Sequence, residues 1–264
     1  LDSVEAHCTV EVATADGIEE VEVAWHPYVG WPVESYQLFR VDGYDEASMT
    51  LLATLPGGDT SYLDLDMFCY DTYQYRVRAL GGRGRSALSD VAFAAPTHLP
   101  PDQPNHVVNV TVEDNAYLSV EWERPAVEDA VAFVLKRKPL GGTRNFQEVH
   151  RQPVAWPDLK YQDHDVAVDA GAYLYRAFTA DTCGDYTPLG RSGSSIHLTA
   201  TQENGDIILR WNGYEGWAQG VAYQVVEVYD QHAGLYREVA ELPGDQQQFI
   251  HQEVIDQPNS CYRV

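Results

Sequence analysis

The sequence contains very little lysine. Of its 17 basic residues only Lys136, Lys138 and Lys160 are lysines, and they stand against 40 acidic residues, which gives a formal net charge of −23. A field of this sign repels phosphate backbones and anionic lipid surfaces, so neither nucleic-acid binding nor direct membrane insertion is expected. An acidic surface keeps an exposed protein soluble, also in salty surroundings. Specific cation binding is the alternative use of so many carboxylates.

Long apolar runs and catalytic motifs are also missing. No run reaches the length of a membrane-spanning helix, and no signal peptide is visible. The sequence has no GxSxG, HExxH or P-loop motif, and its nine histidines are scattered singly. A glycosidase needs paired carboxylates in a cleft, and carboxylates this numerous also pair by chance. We therefore predict that the chain is not an enzyme.

Cysteine is scarce as well, with four residues: Cys8, Cys69, Cys183 and Cys261. No CxxC or Cys/His spacing indicates zinc. Four cysteines allow three pairings if all are bridged, and the sequence leaves the pairing open. Secretion fits this pattern without being required by it.

One pattern occurs three times along the chain. A Trp is followed 11 or 12 residues later by an aromatic-led strand, and later still by Tyr-x-Tyr-Arg or a close variant. The anchoring residues are Trp25, Tyr36 and Tyr73, then Trp122, Phe133 and Tyr173, then Trp211, Tyr223 and Tyr262. Successive Trp residues lie 97 and 89 positions apart, close to the length of a seven-stranded β-sandwich of about 100 residues.

Short alternating runs between turn signals predict an all-β chain, because no stretch of ten or more residues carries a helical stripe. The repeat sets the domain limits. We predict units at 7–98 and 102–194, and a third at 195–264 that is truncated before its last strand. Residues 1–6 would be the tail of a preceding unit.

Strand alternation indicates which aromatic residues are core. Tyr73 and Tyr75 share one face, and Trp25 faces them from the opposite sheet. The predicted structural core comprises Trp25, Tyr73, Tyr75, Trp122, Tyr173, Tyr175, Trp211 and Tyr262. The first Tyr of each motif can close a corner through its hydroxyl group. Ser260 occupies that place in the third repeat, where we expect a weaker or different corner.

These residues resemble fibronectin type III domains: a Trp on the second strand, an aromatic-led third strand, SYLD or KYQD before a loop, and TYQYRVRA on the sixth. The resemblance implies tandem immunoglobulin-like sandwiches. The phrases WxxYxGWxxxxxxYQ, LPGxxxxY, ADTCGDYTPLG…SSIHLTA and CYRV are further similar to repeats in large surface proteins of Bacteroidota. Those proteins are gliding-motility-associated and are exported by type IX secretion, which implies an extracellular or cell-surface location.

Two loops are candidate binding surfaces. Tyr28 with Trp31, and Tyr214 with Trp217, share a Tyr-x-Gly-Trp pattern after the first core strand of the first and third repeats. An exposed Trp beside a Tyr could stack on a sugar ring or anchor a protein partner. Alternatively, the glycine lets the loop fold back so that the Trp caps its own sandwich.

Two acidic segments offer oxygen ligands for Ca²⁺. Their carboxylates belong to Asp64, Asp66 and Asp71, and to Asp163, Asp165 and Asp169. Neither segment has the glycine and glutamate spacing of an EF-hand, and solvated turns are the alternative. No other metal and no cofactor is expected.

The sequence thus predicts a non-catalytic extracellular repeat segment of a larger secreted or cell-surface bacterial protein. It would act as a spacer, an adhesion module or a module for filament or surface assembly. Its expected partners are neighbouring domains of the same polypeptide, other protein subunits and surface glycans. The alternative is an accessory or carbohydrate-binding segment of a secreted hydrolase.

Overall fold

The computed structural model describes residues 9–45, 49–123, 130–156, 158–252 and 260–264. Within these ranges the regular structure consists of β-strands and one 3₁₀ turn at Gly82–Gly84, which confirms the predicted all-β class. None of the described segments is a helix long and apolar enough to cross a membrane. The predicted tail at residues 1–6 and Cys8 lie outside the described ranges.

The chain divides into two compact units, residues 1–99 and 100–264. The first contains one pair of sheets, and the second contains two pairs. One pair falls within each of the ranges 7–98, 102–194 and 195–264, whose limits stay predictions. We call the three pairs the first, second and third sandwich.

The first sandwich has eight strands. They are β1 (Val12–Asp16), β2 (Val21–Trp25), β3 (Val33–Asp42), β4 (Thr50–Pro56), β5 (Ser61–Asp64), β6 (Tyr73–Gly81), β7 (Arg85–Leu88) and β8 (Ala92–Ala94). One sheet has the order β1-β2-β5, and the other has β4-β3-β6-β7, with β8 also paired to β6. All pairs are antiparallel.

The second sandwich repeats this order. Its strands are β9 (Val107–Glu113), β10 (Tyr117–Trp122), β11 (Ala130–Pro139), β12 (Gln147–Pro153), β13 (Lys160–Asp163), β14 (Tyr173–Asp181) and β15 (Gly193–Ser194). The sheets are β13-β10-β9 and β12-β11-β14-β15. Strand β9 is therefore an edge strand of the smaller sheet.

The third sandwich is built in the same way from β16 (Leu198–Glu203), β17 (Asp206–Trp211), β18 (Tyr223–Asp230), β19 (Leu235–Pro243), β20 (Gln248–His251) and β21 (Tyr262–Arg263). Its sheets are β16-β17-β20 and β19-β18-β21.

The aromatic residues of the repeat lie in the cores between the sheets. Alternation on β2 buries Val21, Val23 and Trp25, and the Trp25 ring lies 5.5 Å from that of Tyr36. Of the residues predicted as core, six are buried: Trp25, Tyr73, Tyr75, Trp122, Tyr175 and Trp211. Tyr173 and Tyr262 are half-buried and pack against the edges of the second and third cores.

A buried carboxylate ties the two sheets of the first sandwich together. Asp64 ends β5 in the smaller sheet and is 2% exposed. Its Oδ2 atom accepts hydrogen bonds from Arg40 Nη1 at 3.0 Å and from the Tyr75 hydroxyl at 2.8 Å, and both donors belong to the larger sheet. A buried charge is costly unless it is paired and hydrogen-bonded, so the aspartate requires both the arginine and the tyrosine in the folded protein. We call this arrangement an Arg–Asp–Tyr triad.

The second sandwich contains an equivalent triad. Asp163 is fully buried at the end of β13, pairs with Arg137 Nη1, and accepts a 2.8 Å hydrogen bond from the Tyr175 hydroxyl. Burial, together with the Asp163 charge, raises the pKa of Tyr175 far above its usual value. The raised pKa keeps the tyrosine protonated, as a hydrogen-bond donor to the carboxylate.

The third sandwich lacks this charge. By register, Val228 stands opposite Tyr262 as Arg40 stands opposite Tyr75. His251 likewise replaces Asp64, and its Nδ1 lies 2.9 Å from the Tyr262 hydroxyl. An apolar residue and an imidazole have thus replaced the ion pair.

Register also corrects the sequence alignment of the third repeat. Tyr223 lies opposite Pro243 as Ser35 lies opposite Pro56, so the match of Tyr223 with Tyr36 is wrong by one residue. Tyr223 is 59% exposed. Gln224 occupies the core position instead.

Hydrogen bonding explains why a glutamine occupies this core position in the third sandwich. The Trp211 indole N–H donates to Gln224 Oε1 at 2.6 Å, and the Gln224 amide donates to the carbonyl groups of Gly244 and Gln246. Among the described residues, the indole N–H groups of Trp25 and Trp122 have no acceptor. The glutamine therefore satisfies a donor that Tyr36 and Phe133 leave unpaired.

The predicted corner bonds are present in the first two sandwiches. The Tyr73 hydroxyl accepts from the Phe68 backbone N–H, and the Tyr173 hydroxyl accepts from Ala167 N at 3.1 Å.

Of the cysteines, Cys69 and Cys183 are each disulfide-bonded, whereas Cys261 is a free, exposed thiol.

Replacing Arg137 with Met should destabilise the second unit by about 3–5 kcal/mol, because it leaves the buried Asp163 carboxylate without its cation. Urea unfolding followed by Trp fluorescence measures the loss. Arg151→Met is the control, since Arg151 and Glu148 form an exposed ion pair worth about 1 kcal/mol or less. Equal effects of the two substitutions would show that the triad is not a structural requirement.

The third sandwich should lose stability as the pH falls below the usual pKa of histidine, about 6.5. Burial, with the Arg237 charge as a second cause, lowers the pKa of His251 in the folded state. The unfolded chain then binds the proton more readily, so this stability is complete above pH 6.5 or so and is lost on acidification. Thermal melts across this range test it. His251→Gln should flatten the dependence, and an unchanged slope in that variant would contradict the assignment.

Candidate functional site

The Tyr-x-Gly-Trp loop of the first sandwich connects β2 to β3 and folds back on its own sandwich. The rings of Tyr28 and Trp31 lie 4.5 Å apart, and Tyr28 N donates to the Tyr36 hydroxyl at 2.9 Å. A Cβ atom at Gly81 would come within 2.4 Å of the Trp31 ring. The Trp therefore covers the backbone of β6, and the Arg85 guanidinium lies 5.5 Å above its ring. These contacts are those of a cap.

The loop of the third sandwich makes a different contact. Tyr214 reaches the edge strand β9 of the second sandwich, where its hydroxyl accepts from Val110 N at 3.1 Å and donates to Asn109 Oδ1 at 3.3 Å. The Tyr214 and Trp217 rings lie 4.9 Å apart. An edge strand presents backbone groups that its own sheet does not pair, and the tyrosine satisfies one of them. Burial raises the pKa of Tyr214, so its hydroxyl remains protonated.

Backbone groups reinforce this joint. Ser194 N donates to the Glu215 carbonyl at 2.8 Å, and Glu215 N donates to Ser194 Oγ at 2.8 Å. Asn212 donates to the Ser195 carbonyl at 2.9 Å and accepts from His197 N at 2.8 Å, which fixes the segment between β15 and β16 to the third sandwich. The second and third sandwiches, which belong to one compact unit, are thus linked by several hydrogen bonds.

A shallow cleft of about 290 Å³ opens beside the joint. Leu140 and Ala172 line it from the second sandwich, and Arg210 and Trp211 line it from the third. His197 at its edge hydrogen-bonds through Nε2 to the Asp169 carbonyl oxygen at 3.0 Å. No carboxylate pair lines this cleft, so it does not have the groups of a glycosidase site.

The four candidate aromatic residues therefore have different surroundings. Tyr28, Trp31 and Tyr214 are half-buried in intramolecular contacts. Trp217 is 52% exposed and leaves part of its ring open to a partner. A binding role for any of them stays a prediction.

The acidic segments do not fit a Ca²⁺ site. Asp64 and Asp163 are used by the triads, and the backbone N–H groups of Asp66 and Asp165 donate back to them at 3.2 and 3.1 Å. Among the described residues, neither set of three aspartates brings its carboxylates within 4.8 Å of one another. The carboxylates of Asp64 and Asp66 lie against Arg40, and those of Asp163 and Asp165 lie against Arg137.

The sequence reasoning missed a basic surface on the second sandwich. On β11, β12 and β14, alternation places cations and Phe178 on the outer face of the larger sheet, and Phe146 and Tyr186 contact these cations from outside the strands. We call this set the cationic face; it consists of Lys136, Lys138, Arg151, Arg176, Phe146, Phe178 and Tyr186. The restriction of all lysines to residues 136–160 was the available signal.

Strand order and site together define the class of protein. The first two sandwiches pack a three-stranded sheet on a larger sheet, and the described strands of the third form two three-stranded sheets. The strand order in each is the one expected of a fibronectin type III-like domain, and the three sandwiches follow one another along the chain. The chain is a tandem of fibronectin type III-like β-sandwiches, and within the described residues we find no arrangement of catalytic groups.

No protein-family model matches the chain, and no curated protein matches it. Among solved structures, it is similar to the FN1–FN3 domains of chicken CNTN1, at 13% identity over 97% of this chain and 90% of that one, with a TM-score of 0.34. It is also similar to the pectate lyase Pel3 of Pectobacterium carotovorum, at 19% identity over 33% and 27%, with a TM-score of 0.31. The pectate lyase PelI of Erwinia chrysanthemi matches at 13% identity over 33% and 28%, also at 0.31. TM-scores this low support no conclusion beyond the fold class that the strand order already shows.

Replacing Tyr214 with Phe should loosen the joint. Val110 is buried, so the loss leaves its N–H without an acceptor, at a cost of about 1–3 kcal/mol. Amide hydrogen exchange at Val110 should accelerate by about tenfold or more. Tyr28→Phe, the same change in the first sandwich, should leave Val110 unaffected. Unaltered exchange in the Tyr214 variant would mean that the hydroxyl does not hold the joint.

Proposed function

We propose that the chain is a non-catalytic repeat segment of a larger secreted or cell-surface bacterial protein, in which it spaces and attaches other parts. The observation that carries this proposal is the hydrogen-bonded joint between the second and third sandwiches. Sandwiches joined by a free linker move independently by default. A joint that uses Tyr214, Ser194 and Asn212 to fix two sandwiches is useful for holding a distance or an orientation.

Composition supports the location. The net charge of −23 keeps an exposed chain soluble, and disulfide-bonded Cys69 and Cys183 suit an oxidising compartment. The resemblance to Bacteroidota surface repeats supports export by type IX secretion and a role in adhesion or surface assembly. On this proposal, the partners are neighbouring domains, other subunits or surface glycans.

One observation favours a second candidate function. Trp217 is half exposed beside Tyr214, as in a carbohydrate-binding accessory segment of a secreted hydrolase. The ring lies at the joint, however, and it does not line the cleft of about 290 Å³ beside it.

The chain should release no product from plant, algal or bacterial polysaccharides, or from unfolded protein, in reducing-sugar and peptide-release assays. The reason is that no carboxylate lines the cleft beside the joint, so this cleft has no acid and base pair. An antibody to the chain should label intact producing cells, with a cytoplasmic protein as the control. Hydrolysis that copurifies with the chain, or label that appears only after lysis, would contradict the proposal.

A further inference from the structure

Three positive groups of the cationic face form no ion pair within the described residues. Among the described residues, no carboxylate lies within 4.0 Å of the charged nitrogen atoms of Lys136, Lys138 or Arg176. By contrast, Lys160 on the smaller sheet pairs with Glu121 at 3.0 Å. In a chain with 40 acidic residues, unpaired cations on one sheet face need a reason.

Aromatic rings hold these cations in place. Lys136 Nζ lies 4.1 Å from the Tyr186 ring centroid and 5.1 Å from that of Phe178. Arg176 Cζ lies 4.2 Å from the Phe146 ring centroid, and Lys138 Nζ lies 5.1 Å from it. Arg176 Nε also donates to Ser192 Oγ at 3.2 Å, and a cation over a ring face keeps its remaining N–H donors for another acceptor. The rings therefore fix the positions of the charges without neutralising them.

The arrangement is unfavourable for the sheet alone. Lys136 and Arg176 are direct cross-strand partners on β11 and β14, and like charges in this position destabilise a sheet. Glu148, across from Lys136 on β12, is engaged by Arg151 through two hydrogen bonds of 2.8 and 2.9 Å. A cost that packing does not explain is typical of a binding surface.

The form of the surface indicates the class of partner. Lys136 and Lys138 are two residues apart on one face of β11, so their Cα atoms are about 7 Å apart along the strand, and both side chains are half-buried rather than covered. Such a row fits a linear polyanion. Protein interfaces are depleted in lysine, which disfavours a protein partner.

The overall charge selects among polyanions. Duplex nucleic acid carries a charge at roughly every 1.7 Å, and a protein of net charge −23 is strongly repelled by it. A polysaccharide with carboxylates on its sugars has a sparser charge, and guanidinium and ammonium groups bind carboxylates well. Screening in salt limits this repulsion to about 8 Å, so it acts most strongly on a densely charged duplex and least on a sparsely charged chain that lies along the cationic face.

We propose that the cationic face binds a linear carboxylated polysaccharide through Lys136, Lys138 and Arg176. This inference rests on the attachment role proposed above and names its ligand. A spacer without this ligand would still be a non-catalytic surface segment, so the two proposals can fail separately.

The test is binding of the whole chain to immobilised alginate, with immobilised dextran as the uncharged control. We expect binding to alginate alone, and loss of that binding in about 1 M NaCl, where the Debye length is about 3 Å. The double variant Lys136→Gln with Lys138→Gln should bind at least about tenfold more weakly. Lys160→Gln changes the third lysine, which lies outside the face, and should bind as the parent does.

Lys136→Arg with Lys138→Arg keeps both charges and should retain binding, which separates lost charge from lost folding. A cooperative melting transition in every variant, at a temperature no lower than that of the parent, confirms that the variants are folded. Equal binding to dextran, no weakening in the double Gln variant, or the same weakening in Lys160→Gln would overturn the proposal. So would an absence of alginate binding while the chain self-associates or captures an acidic protein in a salt-sensitive manner.

Discussion

The buried aspartate at the end of the fifth strand is the constraint on which the first two sandwiches depend. Asp64 and Asp163 each lie in the smaller sheet, and each is bound by an arginine and a tyrosine of the larger sheet. A carboxylate in this place must be paired, so the two sheets can close only in one register. That register determines which residues face outward on β11 and β14 and where the loops between sheets emerge.

The third sandwich solves the same problem without charge. Val228 and His251 replace the ion pair, and Gln224 takes the place of an aromatic core residue to satisfy the Trp211 indole. The Tyr214 loop of this sandwich is held on the second one rather than on its own sheet. The third sandwich therefore differs from the first both in its core and in what its Tyr-x-Gly-Trp loop contacts, although the loops of the two sandwiches share one sequence pattern.

The sequence was sufficient to predict the fold class, because Trp and Tyr recur at strand spacing. It was not sufficient for the register of β18, since Tyr223 and Gln224 are adjacent and an aromatic residue is the usual core choice. The two Tyr-x-Gly-Trp loops make different contacts: Trp31 packs on Gly81, whereas Tyr214 hydrogen-bonds to Asn109 and Val110. These contact residues lie far from the loops in the sequence, so the loop pattern alone could not predict them. Predicting the cationic face would have required knowing how β11 pairs with β14, and residue spacing in the sequence does not give that pairing.

The central claim is that the second and third sandwiches form one fixed segment. Residual dipolar couplings of residues 100–264 in the whole chain test it most directly. The account predicts that a single alignment tensor fits both sandwiches of the parent protein, and that Tyr214→Phe separates them into two. Two distinct tensors in the parent protein would contradict the account.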